Sequence, residues 1–153
     1  MPGWRFKYRS RNVPVLDLLI QAPGHPVAEL AGTLDSGATD TVLSIKAAEA
    51  LGLTLDDLRR VDDVLIADDS EVPAWVSDVP IRAQAQARIP EDGDLQPWGP
   101  IFALHPIFMA SGGPLWGQED FCASFRVILE RYVVPAWFEL VYWAGMSDDE
   151  PRP

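Results

Sequence analysis

Leu34-Asp35-Ser36-Gly37-Ala38-Thr39-Asp40-Thr41-Val42-Leu43-Ser44 decides how this chain is read. An apolar approach through Val27, Leu30, Ala31 and Leu34 ends at an acid, Asp35. A hydroxyl and two small residues follow, and a second apolar run, Val42-Leu43, begins at once. This spells strand, tight turn, strand, with a carboxylate at the strand end. Gly37 permits a backbone conformation that a Cβ would forbid. Ser36 can hydrogen-bond nearby backbone and hold the turn. Ala38 leaves the space beside the carboxylate open. Taken alone, Asp-Ser-Gly is an ordinary surface turn. The apolar strands on both sides, with alanine inside the turn, set this one apart.

Around that stretch the chain has 153 residues, a size that fits one domain. A chain of this length buries about two-thirds of its unfolded surface, and 48% of its residues are hydrophobic, so a real core is expected. The formal net charge of −11 argues against nucleic acid and against an anionic membrane surface. No apolar run approaches the length of a membrane span. Trp4, Arg5 and Lys7 are followed by no apolar h-region, which predicts no signal peptide. The single cysteine, Cys122, lies in an apolar run and reads as a buried thiol, which suits a reducing, cytoplasmic setting. His25 reads as a solvent loop residue and His105 as a buried, satisfied side chain. With no second histidine near either and no cysteine cluster, no metal site and no cofactor are expected.

Upstream, Trp4 to Arg11 alternates strictly, with aromatics on one face and Arg5, Lys7, Arg9 and Arg11 on the other. That period of two is a strand signal. Such a strand belongs at a sheet edge, where charge discourages stray pairing, or docks on acidic surface. Val13 to Ile20 is a second strand. Downstream, Ile45 to Gly52 reads as a short helix with Ser44 as N-cap, Gly52 as stop, and Ile45, Ala48 and Leu51 facing the core. Val61–Ile66 and Val72–Val76 form a hairpin around the polar turn Ala67-Asp68-Asp69-Ser70-Glu71. Asp78 to Ile89 alternates as a long strand, Pro90 to Pro100 reads as a surface loop, and Ile101 to Ala110 as core strand broken at Pro106. Phe121 and Phe125 stand one helical turn apart. Phe125–Val134 and the aromatic Ala136–Trp143 are the last strands, and residues 146–153 compose an acidic, proline-containing tail expected to be disordered.

The Asp35 stretch resembles the active-site motif of the retroviral-type aspartic peptidases, the retropepsins, without a gap from Leu34 to Leu43. Leu115-Trp116-Gly117, followed by Gln118, Glu119, Asp120 and Phe121, is similar to that family's second signature, an apolar-apolar-glycine strand that buttresses the catalytic turn. Trp116 departs from the small aliphatic usual there. The resemblance implies a mainly β fold: a single closed, barrel-like domain over residues 1–145, with one or two short helices, working as a homodimer. It also implies that Asp35 is catalytic and that Ser36, Gly37 and Ala38 support the turn. Thr39 and Asp40 and the flap-like turn Ala67, Asp68, Asp69 and Ser70 would line a substrate cleft, and Trp116 must fill extra volume either in the core or in the wall of that cleft. The family's flap tip is glycine-rich, whereas this one carries carboxylates.

The chain holds no second Asp-Ser/Thr-Gly. Aspartic-peptidase chemistry needs two carboxylates about 3 Å apart sharing one proton. One activates water, and the other polarises the scissile carbonyl. A chain with one motif must therefore meet a second copy at a two-fold axis. The basic first strand and the aromatic last strand are the candidates to interleave there, so trimming residues 1–11 or 136–153 should weaken self-association. The partners expected are the chain itself and a peptide or protein substrate. Three other readings remain open: a dimeric module of the same fold that binds peptide without cleaving it, a small barrel in which Asp35-Ser36-Gly37 is only a turn, and an enzyme of another class. The last has no G-x-S-x-G turn and no histidine in an interpretable setting.

Overall fold

The computed structural model of the protein describes residues 2–9 and 13–142. Twelve strands and three short helical turns carry the described chain. The strands are β1 (Gly3–Lys7), β2 (Val15–Gln21), β3 (Ala28–Leu34), β4 (Val42–Ser44), β5 (Arg59–Leu65) and β6 (Glu71–Val76). They continue with β7 (Ile81–Arg88), β8 (Leu95–Leu104), β9 (Ile107–Met109), β10 (Leu115–Trp116), β11 (Arg126–Glu130) and β12 (Trp137–Val141). Nine of them form one sheet in the order β5-β6-β9-β4-β10-β3-β2-β7-β8, and three form another in the order β1-β12-β11.

The fold is mainly β, as expected, but neither sheet closes into a barrel. The reason lies in the two ends of the large sheet. β5 carries Arg59, Arg60, Asp62 and Asp63 and is bulged between Val61 and Val64. β8 carries Pro97 and Pro100, which lack the N–H an outer neighbour would need. Charge, bulges and proline are the features that keep edges unpaired. Residues 95–100 are therefore a correction to the reading of 90–100 as loop: proline is tolerated because β8 lies at an edge. The second correction there is Gly99, at φ +76°, where β8 shifts register against β7 between Gln84 and Ala85.

The small sheet packs on the large one through aromatic rings. Trp98 of β8 meets Phe6, Phe125 and Tyr142, with centroids 5.8, 6.4 and 5.3 Å away, and Phe6 stacks on Phe138 at 5.0 Å. β1 alternates as its sequence requires, with Trp4 and Phe6 half-buried and Arg5 and Lys7 exposed. It ends at Lys7, short of the expected Arg11, and Arg9 makes only an isolated bridge to Val13. The basic face docks on the acids of its own chain: Arg5 pairs with Glu139 at 3.3 Å, Lys7 with Glu91 at 2.8 Å, and Arg9 with Asp17. β1 also pairs along its full length with β12, Gly3 opposite Val141 through Lys7 opposite Trp137. The two strands expected to interleave between subunits thus satisfy each other, and β12 sits mid-sheet with both edges occupied.

α1 (Ile45–Ala50) follows β4 directly. The Ser44 hydroxyl accepts the Ala47 N–H at 3.0 Å, and Gly52 stops the helix at φ +81°. Ala48 and Leu51 are buried and Ile45 packs on the core. β7 buries Ile81, Ala83, Ala85 and Ala87, whereas Val79, expected in the same stripe, is exposed ahead of the strand. His105 is exposed, not buried: Phe102, Leu104 and Pro106 take the inward face of the alternating run, and His105 falls on the outward one. His25 is half-buried, its ring set against Gly52. The expected tail, residues 146–153, and Trp143 lie outside the described residues.

Trp116 organises the core beside β3. It is 0% exposed, and its indole N–H donates to the Leu16 carbonyl at 3.1 Å. Its ring lies flat on Gly32, where an added Cβ would come within 2.5 Å of Cε2. A core this close-packed cannot shift the indole without strain. Gly32→Ala is expected to cost about 1–3 kcal/mol. A lower urea midpoint at unchanged slope is the readout, and an unchanged midpoint would refute the packing account.

Candidate active site

Asp35 sits where three strands end together. β3 is flanked by β2 and, in parallel, by β10, with Leu115 opposite Thr33 and Trp116 opposite Leu34. The Leu34 N–H donates to Pro14 O at 2.9 Å and the Asp35 N–H to Trp116 O at 3.1 Å. Both neighbours thus hold the backbone up to the acid. Beyond it the chain turns: the Ala38 N–H donates to Asp35 O at 3.1 Å, and the Gly37 N–H to Asp35 Oδ1 at 2.9 Å. The expected reason for Gly37 needs correcting. Its φ is not in the left-handed region, and a Cβ there would stand 3.3 Å from Asp35 Oδ1. Glycine is needed for the close approach to the carboxylate and not for an unusual backbone. Asp35 is half-buried, and its Oδ2 takes no hydrogen bond from the described residues. Ser36 and Gly37 are exposed beside it.

A strap from the second signature closes over the turn. The Gln118 N–H donates to Ala38 O at 2.9 Å and the Glu119 N–H to Thr39 O at 2.9 Å, while the Gln118 side-chain amide donates to Ser36 O. Gly117 is required because a Cβ would collide with the Asp40 carbonyl. The strap then winds into a short π-helical turn, Gln118–Cys122.

Asp120 anchors this strap from inside and is the residue that sequence reasoning missed. It is 5% exposed. Its Oδ1 accepts the Thr41 hydroxyl at 2.5 Å and the Phe121 N–H at 2.6 Å, and its Oδ2 accepts the His105 N–H at 3.0 Å. The fully buried Thr41 hydroxyl accepts the Gly117 N–H at 3.1 Å, and the Ser124 hydroxyl donates to Asp120 O at 2.7 Å. Donors from Thr41, His105 and Phe121 thus converge on one carboxylate. The available signal was the apolar run that starts directly after Asp120: of the adjacent acids Glu119 and Asp120, only the one followed by Phe121 faces inward.

Of the residues expected in the cleft, Asp35, Ser36, Gly37, Ala38, Thr39 and Asp40 share this one turn. Trp116 is a correction: it is wholly buried beneath the turn and supports it from the core, so it cannot line a cleft. Ala67, Asp68, Asp69 and Ser70 form the exposed tip of the β5–β6 hairpin. The tip is tied by the Ile66 N–H to Ser70 O, at 3.0 Å. Asp69 takes φ 63° there, the conformation a glycine would supply. The Ser70 hydroxyl and N–H on Asp68 hold its carboxyl below the usual range. β6 runs antiparallel to β9, with Ala74 opposite Met109, so the hairpin continues beyond the end of β9. Among the described residues no hydrogen bond or ion pair joins that tip to the Asp35 turn.

Burial pushes the Asp40 carboxyl above its ordinary range, and Glu119 and Asp120 push it further. A carboxyl whose folded pKa is raised favours folding when protonated, so its ionisation at neutral pH costs stability. That cost fades as pH falls through the raised pKa and is gone below the ordinary, unfolded one. Asp40→Asn is expected to melt higher than the parent at pH 7 and level with it near pH 3. Melting curves at the two pH values check the sign. Burial likewise raises the Cys122 thiol, with Asp120 and then Asp35 adding to it, so the thiol stays protonated at neutral pH. Cys122 lines a groove of about 250 Å³ beside the turn, with Leu34, Ser36, Gln118, Phe125, Val127 and Leu129. Among the described residues no group of three acids, histidines or cysteines could hold a metal, and no helix is long and apolar enough to cross a membrane.

No family model matches the sequence, and no curated protein matches it. A solved structure does match the fold: the crystal structure of a retropepsin-like aspartic protease from Rickettsia conorii, at TM-score 0.55 and 12% identity, over 92% of this chain and 91% of that one. What the chain shares with that protein is therefore its fold, along nearly the whole of both.

Proposed function

We propose that the protein is an aspartic endopeptidase that works as a homodimer. Each subunit contributes one Asp35 to a shared dyad, which activates water to hydrolyse a peptide bond. One observation carries this reading. Asp35 is presented at the end of β3 on a turn strapped by β10 and the segment after it, with Oδ1 fixed by the Gly37 N–H and Oδ2 left open. A carboxylate held by one donor and otherwise unpaired can share a proton with a second carboxylate. Likeness of fold to a retropepsin-like aspartic protease supports the same class of chemistry. The substrate is a peptide or protein, and the exposed acids of the 67–71 hairpin tip favour neutral or basic sequences. The single cysteine favours a reducing, cytoplasmic setting.

Sedimentation equilibrium from low to high micromolar concentration, paired with a peptide-library cleavage assay, tests the proposal. A dimer that cleaves, and that loses cleavage in Asp35→Asn, supports it. A monomer throughout, or cleavage that survives the substitution, sinks it.

A further inference from the structure

We infer that two copies of this chain associate through the free edge of β11, paired antiparallel about Ile128, so that Arg126 of each copy faces the partner's Glu130. The inference rests on the dimeric reading above and specifies its interface.

β11 is the last strand of the small sheet, and β12 occupies one edge of it. Among the described residues no strand pairs with its other edge, which makes that edge a template for another strand. The strand sequence, Arg126-Val127-Ile128-Leu129-Glu130, is complementary to itself when reversed. Antiparallel pairing centred on Ile128 sets Arg126 against the partner's Glu130, Val127 against the partner's Leu129 and Ile128 against itself. The arrangement is isologous, so the charge pair forms twice by symmetry. Neither Arg126 nor Glu130 is in an ion pair within the described chain.

The surface continuing from this edge is apolar and uncovered. Leu129 is 41% exposed, and in the loop that follows, Tyr132 and Val134 are 97% and 98% exposed. Folded chains rarely leave contiguous apolar surface open without a partner. Val127 and Leu129 also line the groove that Leu34, Ser36, Gln118 and Cys122 line. Pairing the two β11 edges therefore brings two such grooves together, with both Asp35 turns on the same side of the joined sheet.

The other free edges serve self-pairing less well. β1 about its centre would set Arg5 against Arg5, and like charges directly opposite repel. β8 carries two prolines. β5 could match its charges in reverse, but it is bulged, and Arg59 and Arg60 are already engaged by Asp78 and Asp63, at 2.9 and 2.6 Å.

A charge-swap cycle tests the interface on the full chain by sedimentation equilibrium. Arg126→Glu and Glu130→Arg, each alone, place like charges opposite one another at two places and should weaken the dimer about tenfold or more. The double variant R126E/E130R restores both pairs and should return to within about threefold of the parent. Thermal melts establish that each variant folds. Single variants that dimerise like the parent, or a double no better than the singles, would overturn the β11 interface. If such variants still cleave peptide in an Asp35-dependent way, the peptidase reading stands and only the interface falls. A dimer that obeys the cycle but cleaves nothing keeps the interface and removes the peptidase. A monomeric parent removes both.

Discussion

Replacing Asp35 by Asn is expected to lower peptide cleavage by about a thousandfold or more while leaving the fold within about 0.5 kcal/mol of the parent. The structural side follows from the turn. Asn keeps an acceptor at the position of Oδ1 for the Gly37 N–H, and the side chain is half-buried with no ion pair to lose. The chemical side follows from the proton. A dyad works because one carboxylate is ionised and the other protonated, and an amide can be neither base nor acid in that exchange. Dimerisation makes the test sharper. Mixing Asp35→Asn chains with parent chains should reduce activity as the square of the parent fraction, since a mixed dimer holds one carboxylate. A linear fall would mean that each chain carries a complete site, contradicting the dimeric mechanism. Residual full activity in the pure variant would remove Asp35 from the chemistry.

Asp120→Ala should be the most destabilising single change at the site, at about 3–5 kcal/mol by urea denaturation. It would strip the acceptor from the Thr41 hydroxyl and from the N–H groups of Phe121 and His105. Two of those donors belong to residues with no solvent exposure, Thr41 and Phe121, so water cannot replace the lost partner. A buried donor left unpaired costs about 1–3 kcal/mol, a large share of a total stability of about 5–15 kcal/mol. Asp120→Asn should lose less, about 1–2 kcal/mol. It keeps one oxygen for Thr41 and Phe121 and fails only toward His105. Equal losses in the two variants would show that the carboxylate's charge, not its acceptor geometry, holds the strap. Because Thr41 in turn receives the Gly117 N–H, the Asp35 turn should loosen in the alanine variant even where the chain still folds.

The strands around Asp35 were legible because each obeys a local rule. Alternation marked β1 and β7, and Ser44 and Gly52 bracketed α1. The polar tip between Val61–Ile66 and Val72–Val76 gave the hairpin. What failed did so where tertiary context overrode local chemistry. Three prolines make 90–100 read as loop, yet at a sheet edge the missing N–H is harmless. An apolar run makes His105 read as buried, yet Phe102, Leu104 and Pro106 take the inward face and His105 falls on the other. For Trp116 the sequence leaves core and cleft wall open, and Gly32 shows why it belongs to the core: only a missing Cβ makes room for the indole there.

By itself the sequence determined that Asp35 ends an apolar strand on a tight turn, which follows from side-chain chemistry and spacing along the backbone. That Leu115-Trp116-Gly117 would run beside it came from the resemblance to the retropepsins, and the call for a second chain belongs to the proposed two-carboxylate chemistry. Only the tertiary structure decided that the sheet stays open, that β12 is taken up on both sides and β11 lies at an edge of the small sheet, and that Asp120, not its neighbour Glu119, locks the turn. Those outcomes depend on which groups far apart in the chain compete for the same edge or the same buried acceptor, and that competition is settled in three dimensions.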